Sequence, residues 1–161
     1  MDRDPVARPV RIAIIDDHPV VIEGVRSWVG AASDPAIEVV FTAGTVEALI
    51  DPAAPAVDVA LVDLNLGGTM VLDRIAGLCD TGLRVVVYSQ YADPETVLAA
   101  MDAGACDFVA KNEGGAHCVH TIVAAAADRP YVTPSLAGAM VVDARADRPR
   151  LSDQERAALL L

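Results

Sequence analysis

The sequence predicts an α/β fold, a doubly wound five-stranded parallel sheet with helices on both faces. Three observations point to it. Five short apolar runs alternate with amphipathic helical patterns between Val10 and Asp128. The runs lack a clean polar/apolar alternation, which is the pattern of strands buried on both faces. Hydrophobic residues make up 53% of the chain but aromatics only 4%, so the core must be built from Val, Ala, Leu and Ile, and branched residues of this kind favour strands. With 161 residues the chain has room for one domain with a core and a short appendage.

The elements follow in order. The first strand is Val10–Ile15, and a helix follows with Val21, Val25, Trp28 and Val29 on one face. Ile37–Phe41 is the second strand, followed by a shorter helix over Thr45–Ile50. The third strand, Val57–Val62, precedes a helix whose apolar face is Leu72, Ile75, Ala76 and Cys79. Leu83–Tyr88 is the fourth. After it, Asp93-Pro94-Glu95 supplies an N-cap, a proline at the first helical position and an acid in the first turn. That helix faces inward with Val97, Leu98, Met101 and Ala105, and Gly104 stands where it would end. The fifth strand is Cys106–Ala110. Its helix, Gly114–Ala127, carries Val119, Ile122, Val123 and Ala126 on one face, and its alanine-rich end makes it a candidate dimer surface.

The pattern changes after Asp128. Arg129-Pro130 breaks the chain, and Pro134 to Val142 reads as one more helix with Leu136, Met140 and Val141 apolar. Asp143–Arg150 reads as a charged linker. Leu151-Ser152-Asp153-Gln154-Glu155 then begins a further helix, with Ser152 and Glu155 at capping-box spacing. Its end, Leu159-Leu160-Leu161, has nothing to bury it, so the chain is expected to be a piece of a longer protein. The expected divisions are 10–128, 129–150 and 151–161.

Charge and cysteines exclude several classes. The net charge is −11, from 23 acids against 12 bases, and no basic cluster marks a nucleic-acid surface. Cys79, Cys106 and Cys118 are odd in number and lack C-x-x-C spacing, which argues against a zinc site and a disulfide framework. Met1 to Arg11 has no apolar core of a signal peptide, and no run is long enough to span a bilayer. A cytoplasmic protein that does not enter a membrane is expected.

Ligands of such sheets bind beyond the carboxyl ends of the strands. There the first strand ends in Asp16-Asp17, the third in Asp63, the fourth in Ser89 and the fifth in Lys111. Clustered carboxylates repel and raise one another's pKa, and a hard divalent cation such as Mg²⁺ (or Mn²⁺) removes the conflict. A carboxylate can attack phosphorus to give an aspartyl phosphate. A metal on one side and a lysine on the other would stabilise the transferring phosphoryl group, and Ser89 could hydrogen-bond one of its oxygens. Each residue alone has a bland reading: the acid pair as solvated surface, Lys111 as solvated, Ser89 as a helix cap. Five such groups at four strand ends of one sheet carry the signal together.

Arg11-Ile12-Ala13-Ile14-Ile15-Asp16-Asp17-His18-Pro19 resembles the opening of receiver domains of two-component response regulators, particularly the NarL/LuxR type, and the resemblance runs from about Val10 to Asp128. It implies a flavodoxin-like receiver fold of strand order 2-1-3-4-5. It implies that Asp63 is the phosphoacceptor, and that Asp17 and Asp63 bind Mg²⁺ directly with Asp16 acting through water. The backbone carbonyl of Asn65 matches a further ligand, Ser89 the switch hydroxyl, Lys111 the phosphate-contacting lysine and Phe108 the rotating aromatic. A sensor histidine kinase as phosphodonor, a homodimer and control of transcription are implied with them. Leu151 to Leu161 resembles the first stretch of a LuxR-type helix-turn-helix domain, so DNA binding is implied through a part of the protein missing from this chain.

The sequence departs from the family at three places. Gly67 stands where proline is usual four residues after the phosphoacceptor, Asn112 follows the lysine, and Val71 replaces a frequent glycine. Gly67-Gly68 is expected to loosen its loop. The expected mechanism is a population shift in which Ser89 and Lys111 move toward the phosphoryl group, Phe108 turns into the space behind Ser89, and the surface from Asp93 to Gly104 changes shape. His18 reads as a helix-start residue. A haloacid-dehalogenase-type phosphohydrolase would need an acid where Asn65 stands. A receiver that works without phosphorylation, as a dimerisation or ligand-binding module, is the other alternative.

Overall fold

The computed structural model describes residues 8–145. In chain order the elements are β1 (Val10–Ile15), α1 (Pro19–Gly30), β2 (Ile37–Ala43), α2 (Glu47–Ile50), β3 (Val59–Val62), β4 (Asn65–Leu66), β5 (Thr69–Met70), α3 (Leu72–Asp80), β6 (Val85–Ser89), α4 (Pro94–Asp102), β7 (Asp107–Ala110), α5 (Gly115–Ala126) and α6 (Pro134–Arg145). Five strands pair in parallel in the order β2-β1-β3-β6-β7. With the small β4–β5 hairpin set aside, this is the expected order 2-1-3-4-5.

Successive side chains of a strand point to opposite faces, and the two faces of this sheet hold two separate cores. Ala13, Ile15, Ala60, Val62, Val85, Val87 and Phe108 face one way, toward α3, α4 and α6. Ile12, Ile14, Val59, Leu61, Val86 and Tyr88 face the other way, toward α1 and α5. Both faces are covered, so every position along β1, β3 and β6 can be apolar. That is why the strand runs show no alternation.

Several boundaries differ from the expected ones. β3 starts at Val59 instead of Val57, because the Asp58 carboxylate is turned to the Arg11 N–H (2.8 Å) and the Arg8 guanidinium (2.7 Å). The helix expected over Thr45–Ile50 is a single turn from Glu47. Leu78, not Ala76, is buried beside Ile75 in α3. In α5 the fully covered residues are Cys118, Thr121, Ile122, Ala124 and Ala125, while Val119, Val123 and Ala126 are only partly covered.

The largest correction concerns α6. It runs on to Arg145, into the stretch expected to be linker. Its inward face carries Ala139, 1% exposed, and the partly buried Leu136, whereas Met140 and Val141 stay 53% and 50% exposed. The helix lies against α4 and β7, and a small alanine at the contact permits the close approach. The expected helix start over 151–161, and the end of the expected linker, lie outside the described residues. Among the described residues no helix is long and apolar enough to cross a membrane.

Candidate functional site: an acidic cleft with one lysine

The sheet brings the predicted strand-end residues to one edge. β1 delivers Asp16 and Asp17, and β3, hydrogen-bonded beside it, delivers Asp63, whose N–H donates to the Ile15 carbonyl at 2.9 Å. Two strands over, the Lys111 N–H donates to the Ser89 carbonyl at 2.9 Å, which fixes where β7 releases the lysine.

The Lys111 ammonium bridges two buried acids. Its Nζ donates to Asp16 Oδ2 at 2.9 Å and to Asp63 Oδ2 at 3.0 Å. Asp16 is 2% exposed and Asp63 4%. Burial pushes the Asp63 carboxyl above its ordinary pKa, and the Lys111 and Asn65 hydrogen bonds only partly oppose it. Burial works against the lysine's charge as well, but its two carboxylate partners outweigh that and hold Lys111 above its ordinary value. The ammonium also lies 5.7 Å from the centre of the Tyr88 ring.

Asp17 faces solvent, and its Oδ2 accepts the Gly67 N–H at 3.0 Å. That bond, foremost, lowers its pKa. Gly67 and Gly68 have φ of 60° and 79° and form the two-residue turn between antiparallel β4 and β5. Positive φ at both central residues is what such a hairpin turn demands, and glycine meets it without strain. The glycine pair thus builds a tight turn that supplies a donor to Asp17, a use the sequence did not disclose.

His18 starts α1 as expected, but its side chain does not cap the helix. Its backbone N–H donates to Asp16 Oδ1 at 2.8 Å, and its ring Nδ1 lies 3.2 Å from Asp16 Oδ1 and 3.0 Å from Asp17 Oδ1. Asp16, Asp17, His18 and Asp63 each present one ligand atom, all within 4.8 Å of one another. A cleft of about 440 Å³ opens over them, lined by Asp17, His18, Asp63, Asn65, Gln90 and Lys111 among others. Three carboxylates beside an open cleft are a hard-oxygen donor set of the kind that suits Mg²⁺ or Mn²⁺. Asp16 lies behind the cleft wall while Asp17 and Asp63 face into it.

Two further predicted residues do not face the cleft. Ser89 is fully buried and its Oγ accepts the Tyr91 N–H at 3.0 Å, so Gln90 occupies the wall there. Phe108 is also fully buried, in the core with Val97, Ala100 and Ala139. Its ring already lies inside. Its N–H donates to Asp107 Oδ1 at 2.8 Å, and its carbonyl accepts the Thr133 hydroxyl at 2.6 Å. Sequence reasoning missed Gln90, Asp107 and Thr133. Gln90 was within reach of the strand-end rule, as the residue after Ser89. Thr133, 25 residues from Phe108, left no local signal.

The response regulator receiver domain family matches residues 12–123. The DNA-binding transcriptional activator DevR/DosR of Mycobacterium tuberculosis is 31% identical over 161 residues, covering 93% of this chain and 72% of that protein. The nitrate/nitrite response regulator NarP of Escherichia coli is 35% identical over 111 residues, covering 67% of this chain and 51% of that protein. A LuxR-family two-component response regulator from Aurantimonas sp. has a similar structure, with a TM-score of 0.73 at 28% identity over 83% of this chain and 96% of that one. An acidic edge closed by a lysine, on a sheet of this order, and these likenesses lead to one placement: the chain belongs to the response regulator receiver domain family and is closely related to the NarL/LuxR-type transcription regulators.

Proposed function

We propose that this receiver is a phosphorylation-controlled switch in a two-component system, that Asp63 is its phosphoacceptor, and that it governs a transcriptional regulator. The observation that carries this is the Lys111 ammonium held between Asp63 and Asp16 at the mouth of a cleft that Asp17 also faces. Mg²⁺ or Mn²⁺ would be held by Asp17 and Asp63 directly, by Asp16 through water and by the carbonyl of Asn65. When bound, it would neutralise charge on the phosphoryl oxygens.

An Asp63 oxygen attacks the phosphorus of the donor, a phosphohistidine of a sensor kinase. The new O–P bond forms as the N–P bond breaks, and the imidazole leaves with the electron pair. Lys111, now 3.0 Å from Asp63 Oδ2, shifts from that carboxylate toward the added charge. Ser89 Oγ accepts the Tyr91 N–H, and among the described residues its hydroxyl proton is left for donation. A rotation of Ser89 brings that proton toward the phosphoryl group. Phe108 needs no inward swing. The change is read by the surface of α4 and β7.

Apart from its own phosphorylation the chain has no enzymatic role in this reading. The receiver spans 10–128, a helix and linker 129–150, and a helix-turn-helix domain begins at 151–161. The protein works in the cytoplasm as a homodimer and meets DNA through that further domain. Incubation with Mg²⁺ and acetyl phosphate, followed by intact-mass measurement, tests the proposal. The expected result is a gain of one phosphoryl group that Asp63→Asn abolishes. No gain, or a gain that survives Asp63→Asn, refutes it.

A further inference from the structure

We infer that α6 is the resident occupant of the α4–β7 face, latched there by Glu113, and that phosphorylation releases it. The second half rests on the reading of Asp63 as phosphoacceptor.

Two side-chain bridges tie the start of α6 to the segment that carries Lys111. Thr133 is fully buried; its hydroxyl donates to the Phe108 carbonyl at 2.6 Å and accepts the Leu136 N–H at 3.2 Å. It therefore caps the first turn of α6 while gripping β7. Glu113 provides the second bridge. Its Oε1 accepts the Ser135 N–H at 2.8 Å and the Ser135 hydroxyl. A carboxylate at the N-terminus of this helix is favoured by the helix dipole as well as by its hydrogen bonds. The bridges thus fall on both sides of Lys111, three residues before it and two after.

The segment between them is a tight turn, in which the Glu113 N–H donates to the Ala110 carbonyl at 3.0 Å. A displacement of Lys111 toward a phosphoryl group therefore carries Glu113 with it. The latch is also incompletely satisfied: among the described residues Glu113 Oε2 is buried without a hydrogen-bond partner, which costs free energy in the latched state. Further along α6, Ala139 shares a core with Phe108, Val97 and Ala100. Release of α6 would expose that part of the core and the α4–β7 face beneath.

Hydrogen–deuterium exchange of the α6 amides, measured in the full chain with Mg²⁺ and with or without acetyl phosphate, tests the inference. Exchange is expected to speed up about tenfold on phosphorylation. Glu113→Ala is expected to give a similar increase without phosphodonor, and to keep it in combination with Asp63→Asn. Ser135→Ala removes only the hydroxyl half of the latch and should give a smaller increase. It keeps the test alive should Glu113→Ala fail to fold, which exchange in β1 and α5 would reveal. Unchanged α6 exchange in the folded latch variants overturns the latch. Phosphorylation by mass without faster α6 exchange overturns the coupling alone. Absence of phosphorylation overturns the Asp63 reading and the coupling with it, while the latch variants still report on the latch.

Discussion

Lys111→Met removes the one cation among the described residues that bridges both buried acids, and keeps the apolar stem beside Tyr88. In the folded protein Nζ lies 2.9 and 3.0 Å from carboxylates whose side chains are 1% and 4% exposed, and the lysine side chain itself is 17% exposed. Breaking a buried ion pair by deleting one partner costs about 3–5 kcal/mol, because a desolvated charge is left without compensation. The low end applies here. The lysine is partly solvated, and Asp63, whose carboxyl burial already raises, can take up a proton. A loss of about 3 kcal/mol, with a urea slope of about 2 kcal/mol/M, lowers the unfolding midpoint by about 1.5 M. The assay is urea unfolding at neutral pH in EDTA, repeated in Mg²⁺. The variant should regain stability in Mg²⁺ by a larger increment than the native protein, since the ion then supplies the counter-charge that Lys111 gave. Its deficit should shrink on acidification, as protonation of Asp63 removes one of the opposed charges. A native-like midpoint in EDTA would falsify the claim that Lys111 holds these acids together.

Three further outcomes follow from single contacts. Burial pushes Asp107 up to about 6, so the folded state favours its neutral form; that stability is present below the ordinary carboxylate range and lost as pH rises through 6. A displacement of about two pH units is worth at most ~3 kcal/mol, and Asp107→Asn, which keeps an acceptor for the Phe108 N–H, should raise the thermal midpoint at pH 8 but not at pH 4. Gly115→Ala would place its Cβ 2.5 Å from Trp28 Cγ and Cδ1; overpacking of ~1–3 kcal/mol should show in chemical unfolding and as a shifted Trp28 emission. Gly67→Ala forces alanine to φ 60° at a cost of ~1–2 kcal/mol, and isothermal titration should show weaker Mg²⁺ binding as the donor to Asp17 is displaced.

The strands and the acidic edge were legible for the same reason. Burial on both faces makes each run apolar from end to end, and chemistry on such a sheet collects where the runs stop. Asp16, Asp17, Asp63 and Lys111 could thus be assigned from position alone. Orientation was not legible. Ser89 stands at the expected strand end, yet its hydroxyl is turned away by the Tyr91 N–H. His18 looked like a helix start, but its ring leans on two carboxylates. Each of these is a rotamer chosen by a neighbour in space, and a one-dimensional pattern does not encode it.

The misreading of α6 has a different origin. The large apolar side chains of this helix are Leu136, Met140, Val141 and Val142; Leu136 packs against the core, while the other three stay about half exposed. The fully covered residue beside Leu136 is Ala139. Two constraints set that face. Thr133 and Glu113 fix the start of the helix, and Ala139 meets Val97, Ala100 and Phe108, which are fully buried with α6 in place. A helix fixed at one end has its rotation set there, so Ala139 can stand at closest approach beside Leu136 while Met140 and Val141 face outward. The polar groups at its N-terminus, rather than its bulkiest apolar side chains, thus decide how α6 docks. The same groups place the docking of α6 under the control of the backbone around Lys111.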